Sequence, residues 1–150
     1  MNLLGGPLKF LGDVSPANVE LLTQMLSVEV NRHPAFEIQF EGLGAFPNPR
    51  RPRVIWIGIQ APAGLEALQH GIEAATATLD YPAEKRPFSP HLTIGRVKNM
   101  GTPRMLAEAM ADGADIGWGE SVVDRIHLVR SELFPSGPRY SILHDARFAP

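Results

Sequence analysis

An α+β fold of two similar halves, with mostly antiparallel sheets and helices packed outside them, is what this 150-residue chain predicts. Amphipathic helical stretches over residues 16–30 and 63–79 alternate with short runs that read as strands. The order is strand, helix, strand, strand, then helix, strand, helix, strand, strand, so a similar unit recurs. The 44% hydrophobic content suits one sizeable core in a chain too short for two independent domains of ordinary size. A single domain over residues 1–150 follows, one lobe covering about 1–60 and the other about 61–150.

Leu8 to Leu11 reads as a short strand. Ser15 then stands where a helix cap is needed, with Pro16 at the first helical position. Val19, Leu22, Leu26 and Val30 recur at three-to-four spacing and predict a helix over residues 16–30. Phe36, Ile38 and Phe40 alternate with Glu37, Gln39 and Glu41, the pattern of a half-buried strand with its aromatic side inward. A Gly/Pro-rich connection over residues 42–52 follows, and then Val54 to Ile59, apolar on both faces.

Leu65, Leu68, Ile72, Ala75 and Leu79 fit one face of a helix over residues 63–79. Residues 80–90 read as a loop carrying Lys85 and Arg86, and residues 91–97 as a strand. A third helix is expected over residues 103–110, with linker at 112–115 and 117–121. Two final strands, 122–130 and 140–148, are joined through Pro135, Ser136, Gly137 and Pro138.

Fourteen Lys and Arg against sixteen Asp and Glu give a net charge of −2, so any contact with nucleic acid must come from a local patch. This argues against broad, non-specific nucleic-acid binding. The chain has no cysteine, hence no thiol nucleophile and no thiolate metal site, which suits a reducing cytosol. Its first residues are broken by Gly5, Gly6, Pro7 and Lys9 and do not form the apolar run of a signal peptide. No run reaches the ~20 apolar residues of a membrane helix. A soluble, cytoplasmic protein is expected.

The most informative stretch is His91-Leu92-Thr93, inside Arg86 to Lys98. Residues two apart on a strand point the same way. An imidazole that moves a proton and a hydroxyl that bonds a phosphate oxygen would thus share one face. Imidazole suits either direction of proton transfer because its ordinary pKa, about 6.5, lies near working pH. Arg96 is the nearby guanidinium, but it lies five residues from His91, and a regular strand would aim it at the opposite face. A bulge or strong twist at Gly95 would turn it back. The alternative is a pairing of Arg96 with a carboxylate on the outer face.

The chain here resembles the 2H phosphoesterase family, in its branch of RNA 2′,3′-cyclic phosphodiesterases, long called 2′-5′ RNA ligases. The matching stretches are Leu8 to Val14, Gly42 to Pro47 with Arg50 to Trp56, Arg86 to Lys98, Ser131 to Leu133, and Gly137 to Tyr140. Family members carry two His-x-Thr motifs, one per lobe, facing each other across a groove. This chain has one: Gly5, Gly6 and Pro7 stand where the first is expected, and the family's opening strand, helix and strand have no counterpart before it.

The resemblance implies a hydrolase that opens terminal 2′,3′-cyclic phosphates on RNA or nucleotides to 2′-phosphates, with no metal and no cofactor. His91 would be a catalytic histidine, Thr93 a catalytic and phosphate-binding threonine, and Arg96 a phosphate-binding arginine. With the first motif absent, impaired activity is expected, or else a degenerate module that binds RNA or nucleotide phosphates without turnover. An incomplete amino lobe would also leave a sheet edge uncovered, which predicts a homodimer.

Outside the motif, Arg50, Arg51 and Arg53 in the Pro-rich loop, with Lys85 and Arg86, are either a basic rim for the RNA backbone or solvated loop charges. Phe46 and Trp56 lie near that loop; Trp56 reads as core, and Phe88 as a packing residue. Of the remaining histidines, His33, His70 and His144 read as exposed or packing residues. His127 alternates away from Ile126 and Leu128 and is the candidate substitute acid or base.

Overall fold

The computed structural model describes residues 2–3, 6–60, 62–98 and 104–150. Among the described residues there are two four-stranded antiparallel sheets and three helices. The elements in chain order are β1 (Asn2–Leu3), β2 (Gly6–Pro7), α1 (Pro16–Val30), β3 (Phe36–Phe46), β4 (Val54–Gln60), α2 (Ala63–Ala77), β5 (His91–Arg96), α3 (Arg104–Asp112), β6 (Gly117–Val123), β7 (Arg125–Phe134) and β8 (Gly137–Arg147). The first sheet has the order β2-β1-β7-β8 and the second β5-β4-β3-β6. The first sheet therefore joins the two ends of the chain, while the second is built from its middle, so the strands do not divide near residue 60.

α1 begins as its sequence dictates: the Ser15 hydroxyl accepts the Asn18 N–H at 3.2 Å, and Pro16 opens the first turn. Its inner stripe, Leu22, Leu26 and Val30, meets Leu65, Leu68 and Ile72 of α2, Ile38 and Ile59 of the second sheet, and Ile126, Leu128 and Ala146 of the first in one continuous core. Burial of each such Leu or Ile contributes roughly 1.5–3 kcal/mol. In α2 the inward position is Thr76, whose hydroxyl is satisfied by the Ile72 carbonyl at 2.8 Å, so the half-buried Ala75 is displaced from the expected stripe.

Several expectations are corrected. Leu8 to Leu11 is irregular, not a strand: the buried Lys9 ammonium bonds the Glu73 carboxylate and the Pro82 carbonyl, while Phe10 is exposed. β3 runs on through Gly42 to Phe46, because a bulge at Gly42 carries the ladder with β4 past the glycines. Residues 117–121 belong to β6, which forms because the other edge of β3 is available to pair it. The expected strand over 122–130 breaks at Asp124, where the chain leaves the second sheet for the first. The expected start of the third helix, Pro103, lies outside the described residues, as do Met1, Leu4 and Gly5. β1 pairs with β7, and β2 with β1, at one edge of the first sheet.

α1 packs against α2, β7 and β8, and β2 of the first sheet lies close to β5 of the second. Helix residues pack on one side of both sheets, in the shared core. Among the described residues no helix is long and apolar enough to cross a membrane.

Candidate functional site

The register between β4 and β5 decides which side chains share the uncovered face of the second sheet. His91 stands opposite Gly58, Thr93 opposite Trp56, Gly95 opposite Ile55 and Arg96 opposite Val54. Directly opposed residues in an antiparallel pair project to one face. His91, Thr93 and Arg96 therefore lie on the same face, together with Trp56. The shift that allows this falls between Ile55 and Trp56 and leaves Ile94 as the extra, unopposed residue. A bulge thus turns Arg96 back toward His91, with Ile94 rather than Gly95 as its additional residue. Leu92, Ile57, Ile59 and Phe40 take the opposite face, toward the helices and the core.

His91 and Thr93 sit about 7 Å apart along the strand. The imidazole is half-buried, whereas Thr93 and Arg96 are exposed. His91 Nδ1 lies 2.6 Å from the Ser89 carbonyl oxygen. A carbonyl only accepts, so Nδ1 carries the proton, and Nε2 of the neutral ring is left with its lone pair for exchange with a ligand. The ring stands nearly perpendicular to that of Phe46, with centroids 5.1 Å apart, and tilted toward Trp56 at 6.0 Å. Among the described residues neither the Thr93 hydroxyl nor the Arg96 guanidinium has a side-chain hydrogen bond or ion pair. The expected alternative, Arg96 paired to a carboxylate on the outer face, is not observed there.

Trp56 departs from the sequence reading. Its indole lies on the site face and not in the helix-side core, seated over Gly44 and in contact with Phe46 at 5.3 Å between centroids. Its Nε1 is buried without a hydrogen-bond partner. Phe46, 39% exposed, is the neighbour of His91 that sequence reasoning did not assign to the site. Parity through the Phe46 to Val54 pairing was the available signal, and the bulge at Gly42 hid it. Phe88 packs against the core as expected.

The basic candidates lie in two loops. Arg50 and Arg51 are exposed in a turn built on the Asn48 side chain, which accepts both of their N–H groups. Arg53 is exposed at the base of that loop, its carbonyl accepting the Val97 N–H beside Arg96. Lys85 and Arg86 are exposed on the loop leading into β5, and Lys9 ties that loop down through Pro82.

His33 pairs with Glu29 at 3.1 Å, His144 lies 2.8 Å from the Ser27 hydroxyl on the helix side, and His70 is exposed on α2. His127 takes the uncovered face of the first sheet, opposite to its buried neighbours Ile126 and Leu128. Its Nε2 lies 3.7 Å from Asp145, which is also approached by Arg125 and Arg147 at 3.5 and 3.8 Å. His127 pairs in register with Asn2, and Asn2 with Pro7, so it is two strands, about 10 Å, from β2. The structure therefore groups His91, Thr93 and Arg96 and keeps His127 on the other sheet. Among the described residues no cluster of side chains has the composition of a metal site.

Comparison with known proteins gives a consistent result. The family model described as the 2′-5′ RNA ligase superfamily matches residues 8–133. A protein of Methanothermobacter thermautotrophicus named RNA 2′,3′-cyclic phosphodiesterase is 35% identical over 134 residues, covering 89% of this chain and 72% of its own length. Its namesake in Archaeoglobus fulgidus is 38% identical over 136 residues, with 91% and 74% covered. Among solved structures, TT0787 of Thermus thermophilus superposes with a TM-score of 0.79 at 29% identity, covering 95% of this chain and 76% of that one. E. coli LigT complexed with 3′-AMP gives 0.75 at 25% identity, with 97% and 76% covered.

Proposed function

The chain belongs to the 2′-5′ RNA ligase superfamily, and from that premise we propose that it opens terminal 2′,3′-cyclic phosphates of RNA by hydrolysis, with His91 as its proton-transfer group. The observation that carries this reading is the bulge at Ile94, which leaves an imidazole, a hydroxyl and a guanidinium side by side on one uncovered sheet face. In the reaction a water oxygen bonds to phosphorus as the bond from phosphorus to the 3′ oxygen breaks. One proton leaves the water and one reaches the 3′ oxygen, giving a 2′-phosphate and a free 3′-hydroxyl. His91 Nε2 exchanges one of these protons. The Thr93 hydroxyl and the Arg96 guanidinium hold the non-bridging oxygens, where charge accumulates.

One imidazole serves one of the two transfers well. Loss of a tuned acid or base typically lowers the rate by ~10²- to 10⁴-fold, so slow turnover belongs to this reading. His127, on the other sheet, is its substitute acid or base, and Arg50, Arg51, Arg53, Lys85 and Arg86 are its contacts to the RNA backbone. The cytoplasm is its place of action, and the whole chain acts as one domain.

A second reading, a phosphate-binding module without turnover, is favoured by Gly6–Pro7 as β2, next to β5 in space, at the position expected for the first His-x-Thr motif. One experiment separates the two. An oligoribonucleotide ending in a 2′,3′-cyclic phosphate is incubated with the chain and with His91→Ala, and products are followed by phosphorus NMR. Slow, His91-dependent appearance of the 2′-phosphate supports hydrolysis. Binding of the same RNA with no product supports the module, and a 3′-phosphate product overturns the assignment of the leaving group.

A further inference from the structure

We propose that Phe46 is the platform on which the terminal nucleobase of the substrate stacks, which makes this site one for nucleotide ends and not for phosphate alone. The inference rests on the reading of His91, Thr93 and Arg96 as the phosphate face. Phe46 is the last residue of β3, opposite Val54 and in the same cross-strand row as Arg96, so it shares the uncovered face with the motif. Its ring stands 5.1 Å from the imidazole of His91, edge to face, with 39% of the residue open to solvent.

What lies behind the ring matters as much. Trp56 backs it at 5.3 Å, and the indole is itself seated on Gly44, where even a methyl group would collide with it. Phe46 is therefore an aromatic ring braced by Trp56 and partly open to solvent beside the proton-transfer group. A partly exposed aromatic ring on a packed backing fits a ligand that is itself flat and apolar on its faces.

The substrate has that shape at the required place. The base of a terminal nucleotide is one sugar ring removed from its cyclic phosphate, and Phe46 is one ring contact removed from the imidazole. Every base has a π face, so stacking here tolerates any sequence and favours the larger purines. No charge is needed at this point, in keeping with the net charge of −2 and the absence of a strong basic field.

The test compares two probes by NMR or calorimetric titration: inorganic phosphate, and adenosine 2′-phosphate, which adds the nucleoside. Phe46→Leu keeps an apolar contact on Trp56 but removes the π face, Phe46→Ala removes both, and Phe46→Trp restores a flat ring. Stacking predicts that the leucine and alanine variants lose roughly 5- to 150-fold in affinity for the nucleotide, with phosphate affinity unchanged. The tryptophan variant is expected to bind the nucleotide as the parent does, and cytidine 2′-phosphate to lose less than its purine counterpart. Equal losses for phosphate and nucleotide would overturn the proposal, making Phe46 a positioning residue for His91. An unchanged nucleotide affinity in Phe46→Leu would overturn it as well, while phosphate binding would leave the phosphate face intact. Failure of both probes to bind the parent would sink the phosphate face and the platform together.

Discussion

Gly44→Ala offers a direct probe of how the sheet supports the site. A Cβ at Gly44 would stand 2.1 Å from Cζ2, 2.2 Å from Cη2 and 2.6 Å from Cε2 of the Trp56 indole, so the ring must retreat by about 1.3 Å to reach ordinary contact at 3.4 Å. An indole has no flexible end to give way, and this one rests on Phe46 and His91. Overpacking of this kind costs about 1–3 kcal/mol. With a urea slope of about 2 kcal/mol per molar, a loss of 2 kcal/mol moves the unfolding midpoint down by about 1 M. Urea titration reads the stability, and the indole N–H resonance reads the displacement. Trp56 has no acceptor for that proton, whereas Trp118 donates to the Gly42 carbonyl at 3.2 Å, so the two signals differ in environment. His91 ring resonances are expected to move with that of Trp56. A variant as stable as the parent, with both sets of resonances unmoved, would refute the packing of Trp56 over Gly44.

Lys9→Met removes a nearly fully buried ammonium and leaves the Glu73 carboxylate without it, at an expected cost of roughly 3–5 kcal/mol in urea unfolding. Lys9→Met with Glu73→Leu is expected to recover much of that loss; no recovery would mean that the pair is not what the site requires. Asp124 is held below the usual aspartate range chiefly by its hydrogen bond from the Arg125 guanidinium. The contribution of that pair to stability is therefore present above the ordinary aspartate pKa and is lost as pH falls through the depressed folded value, by a small amount for an exposed pair. Carboxyl NMR titration checks the sign, with Arg125→Ala expected to return Asp124 toward ordinary behaviour.

Where a stretch carried its own instructions, the sequence could be read directly. Ser15 and Pro16 announce the start of α1, and the three-to-four spacing of Leu22, Leu26 and Val30 announces its inner face. The strand with His91 and Thr93 was legible because a period of two needs no partner to define it. What depended on a partner was not. β6 and the far half of β3 are glycine-rich, with no period to read, and become strands only through their ladders, β6 with the first half of β3 and residues 43–46 with β4. Trp56, in a run apolar on both sides, looked like core; its face is set by pairing with Gly44, which leaves room for an indole. Arg96 shows the boundary within one side chain. Counting five residues from His91 exposes the parity conflict and suggests a bulge, but the extra residue is fixed by the register with Ile55 and Trp56, and it is Ile94.

The central claim is that His91, Thr93 and Arg96 act as one phosphate-binding face, and a chemical-shift titration with inorganic phosphate tests it most directly. The expected result is saturable movement of the Thr93 to Arg96 amides and of the His91 ring. Affinity should fall as salt is added, be weakened by Arg96→Ala, and be reduced further when Thr93→Val is added. Shifts centred elsewhere, on the Arg125 and Arg147 cluster for instance, with the amides of residues 93–96 unmoved, would contradict the account.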